Sequence, residues 1–345
     1  MTHEYRMGCI TTENPEDAGY VYDEKAMAAA WRLFVNTGVV DESVVRPMIA
    51  RSWRRCRAAG LSPWSSDFPP ANDALLKEKR RAYGHSVEAN EPVMQVLMAL
   101  MKCNVSLMDQ EGFVFMFMTP LSYYPRTMGT YQHENLLGTG NSTVVAYEKR
   151  PVRVEGFEGY RSVSQGYSGV SCPFLDVDGE FFGALNLNNP FGMLPDYALD
   201  MCVAGVELAN ELFVIGRSMW SHLRSAEFFR PLVDIMPDPV VFLDQRGNIL
   251  LANKAMEPYV PGFEDFPYGE QSLAGYLDRT TPLKSLMGDS MDGKDYIPAN
   301  FRTPKKRGIK ELLCANRAEV RLRNGMSFTV LVFKKPTKEF HETTA

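Results

Sequence analysis

No apolar stretch of this chain reaches the ~18 residues that a membrane-spanning helix needs. The opening residues, MTHEYRMGCITTENPEDAG, lack the apolar core of a signal peptide. Cysteine is scarce: Cys9, Cys56, Cys103, Cys172, Cys202 and Cys314 are scattered, with no C-x-x-C pair. That spacing argues against a disulfide framework or a thiolate zinc site and fits reduced thiols in the cytoplasm. Only five histidines occur (His3, His85, His133, His222, His341), and none falls among the apolar runs of the last third, so no histidine-held haem is expected there. A phosphate loop of the form G-x-x-x-x-G-K-[ST] is missing. The formal net charge is −5, a sign that repels phosphate backbones. Direct nucleic-acid binding, membrane insertion, a metal and a cofactor are therefore not expected. The basic clusters at Arg54–Arg55, Lys77 to Arg81 and Lys305 to Arg307 read as solvated helix faces or loops.

What is present is an ordinary globular mixture, 45% hydrophobic and 23% charged, in 345 residues, long enough for two cores. Residues 1–24 are polar and aperiodic, a flexible lead-in. Met27, Trp31, Phe34 and Val35 then fall on one helical stripe, with Gly38 placed to cap its end. A second helix starts near Pro47, carries Ile49, Trp53 and Cys56 on one face, and stops at Gly60. Both helices are short and amphipathic, so they must cap the domain that follows.

Three times an apolar run meets Asp-x-x-Gly and another apolar run follows. The instances are VSLMDQEGFVFMF (Asp109, Gly112), CPFLDVDGEFFGALNL (Asp176, Gly179) and VVFLDQRGNILLAN (Asp244, Gly247). Asp accepts hydrogen bonds from the turn's own backbone and Gly takes positive φ, so each reads as a β-hairpin. Hairpins with helices between them predict an α+β fold of antiparallel sheets with flanking helices. A long helical stretch, about Asp196 to Asp234, separates the last two hairpins. Its three- and four-residue spacings suggest one helix shared by two domains, ended by Pro237. Its first half fits packing on its own sheet; Phe213, Trp220 and Leu223 are candidates for a dimer seam.

The segment RPMIARSWRRCRAAGLSP (Arg46 to Pro63) resembles the N-terminal signature of sigma-54-dependent activators of the acetoin-catabolism and dihydroxyacetone-operon regulator type. NLLGTGNSTVVAYEKRPVRVEGFEGY and SCPFLDVDGEFFGALNLNN are similar to the GAF domain of that family, and FFRPLVDIMPDPVVFLDQRGNILLANKAME to a PAS domain. The resemblance implies an N-terminal helical segment (25–84), a GAF-like sensor (85–216) and a PAS-like domain with its linker helix (217–345). It also implies a small-molecule metabolite effector, a homodimer, and action on sigma-54 RNA polymerase only through an ATPase domain absent from this chain. The chain is read as a piece ending before that ATPase rather than as a stand-alone sensor. It departs from the family at Gly159, where relatives carry His in a Glu-His-Tyr run.

Candidate chemistry follows. Gly138-Thr139-Gly140-Asn141 reads as a tight turn in which Thr or Asn caps a helix over 142–149, with a role facing a ligand left open. Gly166-Tyr167-Ser168-Gly169 is one residue short of a nucleophile elbow and has no evident base, so an enzyme ranks last. Asp176 to Glu180 resembles a calcium loop, but Leu185 stands where its bidentate Glu belongs. Met116 and Met118 alternate with Phe115 and Phe117 on a strand. Tyr123, Tyr124, Tyr160 and Tyr167, with Asn186 and Asn188 on the returning strand, suggest an aromatic-walled pocket with polar tips. Such a pocket suits a small neutral or cationic molecule. Its expected residues are Met116, Met118, Tyr124, Thr139, Asn141, Phe157, Tyr160, Tyr167, Ser171, Cys172 and Asn186. The rival expectation is a dimerisation and protein-interaction scaffold with both pockets empty.

Overall fold

The computed structural model describes residues 15–17, 19–120, 127–175, 179–220, 226–263, 270–288, 296–302, 309–322 and 325–336, the side chains of 15 and 214–220 excepted. The chain divides into two compact units. One runs to Met94 and resumes over Cys103–Val214; the other takes Gln95–Lys102 and the residues from Ile215 on.

The first unit opens with helix α1 (Glu24–Thr37). Asp23 starts it by accepting a hydrogen bond from the Ala26 N–H, and Gly38 ends it at φ +82°. Helices α2 (Pro47–Ala58), α3 (Asp73–Ala82) and α4 (Gly84–Met101) follow. The sheet comprises β1 (Asn104–Asp109), β2 (Val114–Met118), β3 (Val152–Glu155), β4 (Tyr167–Leu175) and β5 (Phe181–Pro190). Its order is β2-β1-β5-β4-β3, antiparallel throughout. Helices α5 (Glu134–Leu137) and α6 (Asn141–Glu148) lie between β2 and β3, and α7 (Ala198–Trp220) closes the unit.

In the second unit, α8 (Arg230–Ile235), β6 (Val240–Leu243) and β7 (Ile249–Ala252) precede α9 (Leu283–Met287). Strands β8 (Ile297–Arg302), β9 (Ile309–Arg321) and β10 (Ser327–Lys334) complete a sheet of order β7-β6-β10-β9-β8. Both sheets follow one path: a hairpin opens the sheet and the last strand inserts beside the first. The second core gathers Val241, Leu243, Tyr259, Phe301, Leu331 and Phe333 under the α9 side of its sheet. The α+β architecture expected from the alternating hairpins and helices is the one observed.

The Asp-to-Gly corners form as their chemistry requires. Asp109 Oδ1 accepts from the N–H groups of Glu111 and Phe113, and Gly112 sits at φ +73°. Asp244 Oδ1 accepts from Arg246 and Asn248, with Gly247 at φ +83°. At the middle corner Gly179 is at φ +77°, while Asp176 lies outside the described residues. Two corners belong to the first sheet and the third opens the second.

The long helical stretch differs from expectation. Helix α7 is described over Ala198–Trp220 and 221–225 lie outside the described residues, but Ala226–Phe229 form a 3-10 turn and α8 follows, so the stretch to Asp234 is not one α-helix. Its first half is buried on several sides, through Met201, Cys202, Val206, Leu208 and Leu212, and Cys202 Sγ donates to the Leu185 carbonyl of β5. It packs on its own sheet, as a helix apolar on more than one stripe must. Phe213 is 37% exposed; the Trp220 side chain and Leu223 lie outside the described residues.

Candidate functional site

The two helices that open the chain share one apolar cluster with the first sheet. Met27, Trp31 and Phe34 of α1 and Met48, Ile49 and Trp53 of α2 pack with Val144, Val152, Val154 and Tyr160. Their polar groups converge on residues 155–161. Trp31 Nε1 donates to the Tyr160 carbonyl at 2.9 Å and Trp53 Nε1 to the Glu158 carbonyl at 2.7 Å. The Glu158 carboxylate is fully buried. It accepts from Arg46 Nε at 2.8 Å, Arg46 Nη2 at 2.9 Å, the Tyr20 hydroxyl at 2.9 Å and the Glu155 N–H at 2.8 Å. A buried charge is tolerable only when paired and hydrogen-bonded in this way. Burial by itself would lower the Arg46 guanidinium, but Glu158, Asp17 and Tyr20 together raise it by more. Burial and the Glu158 charge both push the Tyr20 phenol up.

The arginines of α2 are largely spent inside the fold. Arg51 bonds Glu148 and Glu16, Arg57 reaches the Phe34 carbonyl, and Arg55 pairs with buried Glu134 at 2.6 Å. The expectation of a solvated face at Arg54–Arg55 holds for Arg54, which meets Glu42 at the surface, and fails for Arg55. Glu134 also accepts from Ser52 Oγ at 2.7 Å, and Ser52 Oγ lies 2.7 Å from Thr139 Oγ1. The motif helix is thus bonded directly to the Gly138–Asn141 turn.

Arg161 secures a further wall. It is fully buried with no ion pair to a carboxylate among the described residues, and donates to the carbonyls of Ser65, Leu136 and Asp67 at 2.8, 3.0 and 2.7 Å. Burial lowers its pKa, because three carbonyl dipoles replace water incompletely.

These walls enclose a cavity of about 210 Å³ above the sheet. Ser106, Tyr167, Gly169 and Asn188 line it from the strands, Thr139 to Thr143 from the turn and α6, and Gly156 and Gly159 from the segment the N-terminal helices hold. Phe68 and Tyr167 are the aromatic side chains among its lining residues, and none of those residues is charged. Among the described residues the wall is built mainly of hydroxyls, carboxamides and glycines, with Tyr167 the one expected tyrosine that lines it; Tyr123 and Tyr124 lie outside the described residues. A second, smaller cavity of about 40 Å³ lies on the opposite face, between Leu107, Phe115 and α7.

Thr139, Asn141 and Tyr167 line the larger cavity, and Ser171 and Asn186 stand behind Asn141 in the sheet. Met116 and Met118 do not reach it. They pair with Leu107 and Val105, whereas Ser106 and Phe117 alternate to the cavity face. Cys172, one residue on from Ser171, likewise faces α7. Phe157 and Tyr160 pack on the N-terminal helices, Phe157 against Trp31 and Tyr160 against Phe34, with the Tyr160 hydroxyl on the Leu61 carbonyl. Tyr124 lies outside the described residues. Neither Thr139 nor Asn141 caps α6. Gly140 is the capping residue, and Thr143 Oγ1 reaches back to accept its N–H. Sequence reasoning did not single out Glu158, Arg46 or Arg161, since their partners stand far along the chain.

Five thiols are buried: Cys56, Cys103, Cys172, Cys202 and Cys314. Burial pushes Cys56 from 9.0 to about 11 and Cys103 to about 12. Each therefore keeps its proton longer folded than unfolded, so its stabilising contribution is full below pH 9.0 and is lost as pH climbs toward 11. Titration of the native chain with a thiol reagent at pH 8 is expected to modify no more than Cys9, and all six cysteines after unfolding. Rapid native modification of several thiols would contradict this burial.

Two antiparallel units of matching strand order, the first holding a cavity lined among the described residues by uncharged polar groups, define an α+β protein built on two like sheets. The chain is similar to the sensory region of acetoin- and dihydroxyacetone-operon regulators, as Arg46–Pro63 implied. It is 22% identical over 262 residues to the acetoin dehydrogenase operon transcriptional activator AcoR of Bacillus subtilis (strain 168), over 71% of this chain and 42% of that protein. The chain therefore spans less than half the length of that curated relative. No family profile matches it. Among solved structures, the E. coli DhaR(N)–DhaL complex aligns at 18% identity and TM-score 0.44, over 84% of this chain and all of that one. A PAS domain of an HTR-like protein from Haloarcula marismortui aligns at 15% identity and TM-score 0.26, over 32% of this chain and 91% of the other. No described helix is long and apolar enough to cross a membrane.

Proposed function

We propose that this chain is the cytoplasmic signal-sensing region of a sigma-54-dependent transcriptional activator. In this reading a GAF-type first domain binds a small metabolite and a PAS-type second domain passes the signal to an ATPase and DNA-binding output. The observation that carries the ligand reading is the 210 Å³ cavity, whose lining among the described residues offers hydroxyls and carboxamides and no charged side chain. Desolvating an ion there would lack compensation, so the effector is small, polar and uncharged. The ligand acts by binding one of two packings better than the other. The N-terminal helices, bonded to the cavity wall through Ser52 and Trp53, are the elements whose packing it biases.

Calorimetry of the chain against a panel of small uncharged and charged metabolites tests this. Uncharged members are expected to bind saturably, and Gly140→Leu to abolish binding while the protein stays folded. Gly140 lines the cavity with extended backbone, and a Cβ there meets only Thr143 Oγ1 at 3.9 Å. Binding limited to anions, or unaffected by Gly140→Leu, would place the ligand elsewhere. The exposure of Phe213 at the far end of α7 favours a homodimer seam continuing through Trp220 and Leu223. Light scattering reads it directly: a monomer at every concentration removes the seam.

A further inference from the structure

We propose that Asn141 decides which molecules the cavity accepts: its carboxamide oxygen is a fixed acceptor that selects ligands carrying a hydroxyl or N–H donor. This rests on the cavity being a ligand site and adds the chemistry that the ligand must present.

Asn141 is the first residue of α6, yet its side chain leaves the helix and lies across strand β4. Its Nδ2 donates to the Val170 carbonyl at 3.1 Å and to Ser171 Oγ at 2.9 Å. A backbone carbonyl only accepts, so the atom facing Val170 must be the nitrogen and the carboxamide cannot be flipped. Ser171 Oγ, having accepted from Asn141, donates to Asn186 Oδ1 at 2.6 Å. That leaves Asn186 Nδ2 to face Ser106 Oγ at 3.3 Å and the Ala184 carbonyl at 3.4 Å, acceptors that fix its orientation in turn. Ser171 and Asn186 are completely buried. The relay therefore runs in one direction across β4, β5 and β1, anchored by carbonyls at both ends. Such fully satisfied buried networks hold a group rigidly.

The consequence is at the free end. With both Nδ2 protons used, Asn141 Oδ1 is left over Gly169, in the cavity wall, with no partner among the described residues. Gly169 makes the arrangement sterically available, because a Cβ built there falls on Asn141 Oδ1 itself. A ligand group opposite Oδ1 must donate, and a ligand offering only acceptors leaves Oδ1 desolvated and unpaired. The cavity accordingly takes small uncharged hydroxyl-bearing or amide-bearing molecules and discriminates against their ethers.

The experiment measures binding of two matched series to the chain by ligand-observed NMR: ethylene glycol, 1,2-propanediol and glycerol against their fully methylated ethers. The hydroxyl series is expected to bind about tenfold more tightly, about 1.4 kcal/mol. In Asn141→Leu, and separately in Gly169→Ala, that ratio falls toward one. Circular dichroism reports whether each variant is folded, and the wild-type ratio decides even where a variant is not. Ethers that bind the wild type as well as the diols overturn the inference and leave the cavity standing as a ligand site. A preference that survives in both folded variants also overturns it. Failure of either series to bind, together with failure of the uncharged metabolite panel, removes the ligand site and this inference with it.

Discussion

Replacing Arg46 by Met is expected to cost about 3–5 kcal/mol, because it leaves the Glu158 carboxylate buried without its counter-charge. Arg46 is 8% exposed and Glu158 is 0% exposed, so water cannot step in where the guanidinium was. Two of the four hydrogen bonds to the carboxylate disappear at once. For a unit of this size the melting temperature falls on the order of 10 °C. Adding Glu158→Leu to the same chain removes the orphaned charge and is expected to restore a large part of the loss. The second change also deletes the acceptor of the Tyr20 hydroxyl and the Glu155 N–H, so recovery is incomplete. Denaturation of the two variants and the wild type reads all three values. A change below 1 kcal/mol on Arg46→Met would mean that the carboxylate is protonated or hydrated and that the clamp is not the joint described here.

Trp53→Ala is expected to cost a similar 3–5 kcal/mol. The indole is fully buried, stacked on Phe34 with ring centroids 5.3 Å apart, and its N–H donates to the Glu158 carbonyl. Trp53→Phe separates these contributions: the apolar filling is largely kept while the hydrogen bond is lost, for about 1–3 kcal/mol. Because Arg46 holds the side chain of Glu158 and Trp53 its backbone, the two losses are coupled. Together they cost less than their sum. Strict additivity in the double variant would show that α2 meets residues 155–161 at two independent points instead of one joint.

Both substitutions fall in the motif from Arg46 to Pro63, and the structure gives that motif a physical meaning. Its arginines and tryptophan hold a wall of the cavity, and do not form a basic surface. Sequence periodicity alone predicted that helices with Trp31, Phe34 and Trp53 on one face must cap something. It did not show that the Trp N–H groups and Arg46 would all converge on Glu158 and Tyr160, more than a hundred positions away. Buried polar partners so far apart in the chain leave no local pattern, which is why Glu158, paired with Arg46, and Arg161, bonded to backbone carbonyls, went unnoticed.

The corners at Asp109, Gly179 and Asp244 were legible because turn chemistry is local. The sheet order was not, since the insertion of β5 beside β1 is decided by packing at long range. The alternation of Met116 and Met118 against Phe117 was also legible, but alternation does not say which face meets the cavity. A bulge between Leu107 and Met108 further sends Phe115 toward Tyr83 on the other side. Tyr160 misled for a related reason: it belongs to the helix-packed core, whereas Tyr167 does line the cavity. Gly159 lines the cavity, and a Cβ there meets the Gly156 carbonyl at 3.1 Å.

Hydrogen–deuterium exchange of the intact chain tests most directly whether the motif helix belongs to the sensor fold. If α2 is a structural wall of the cavity unit, the amides of Trp53 to Cys56 open together with those of β4 and β5, at one common free energy. Exchange of α2 many-fold faster than the strands, with the strands still protected, would show a helix that merely rests on the domain.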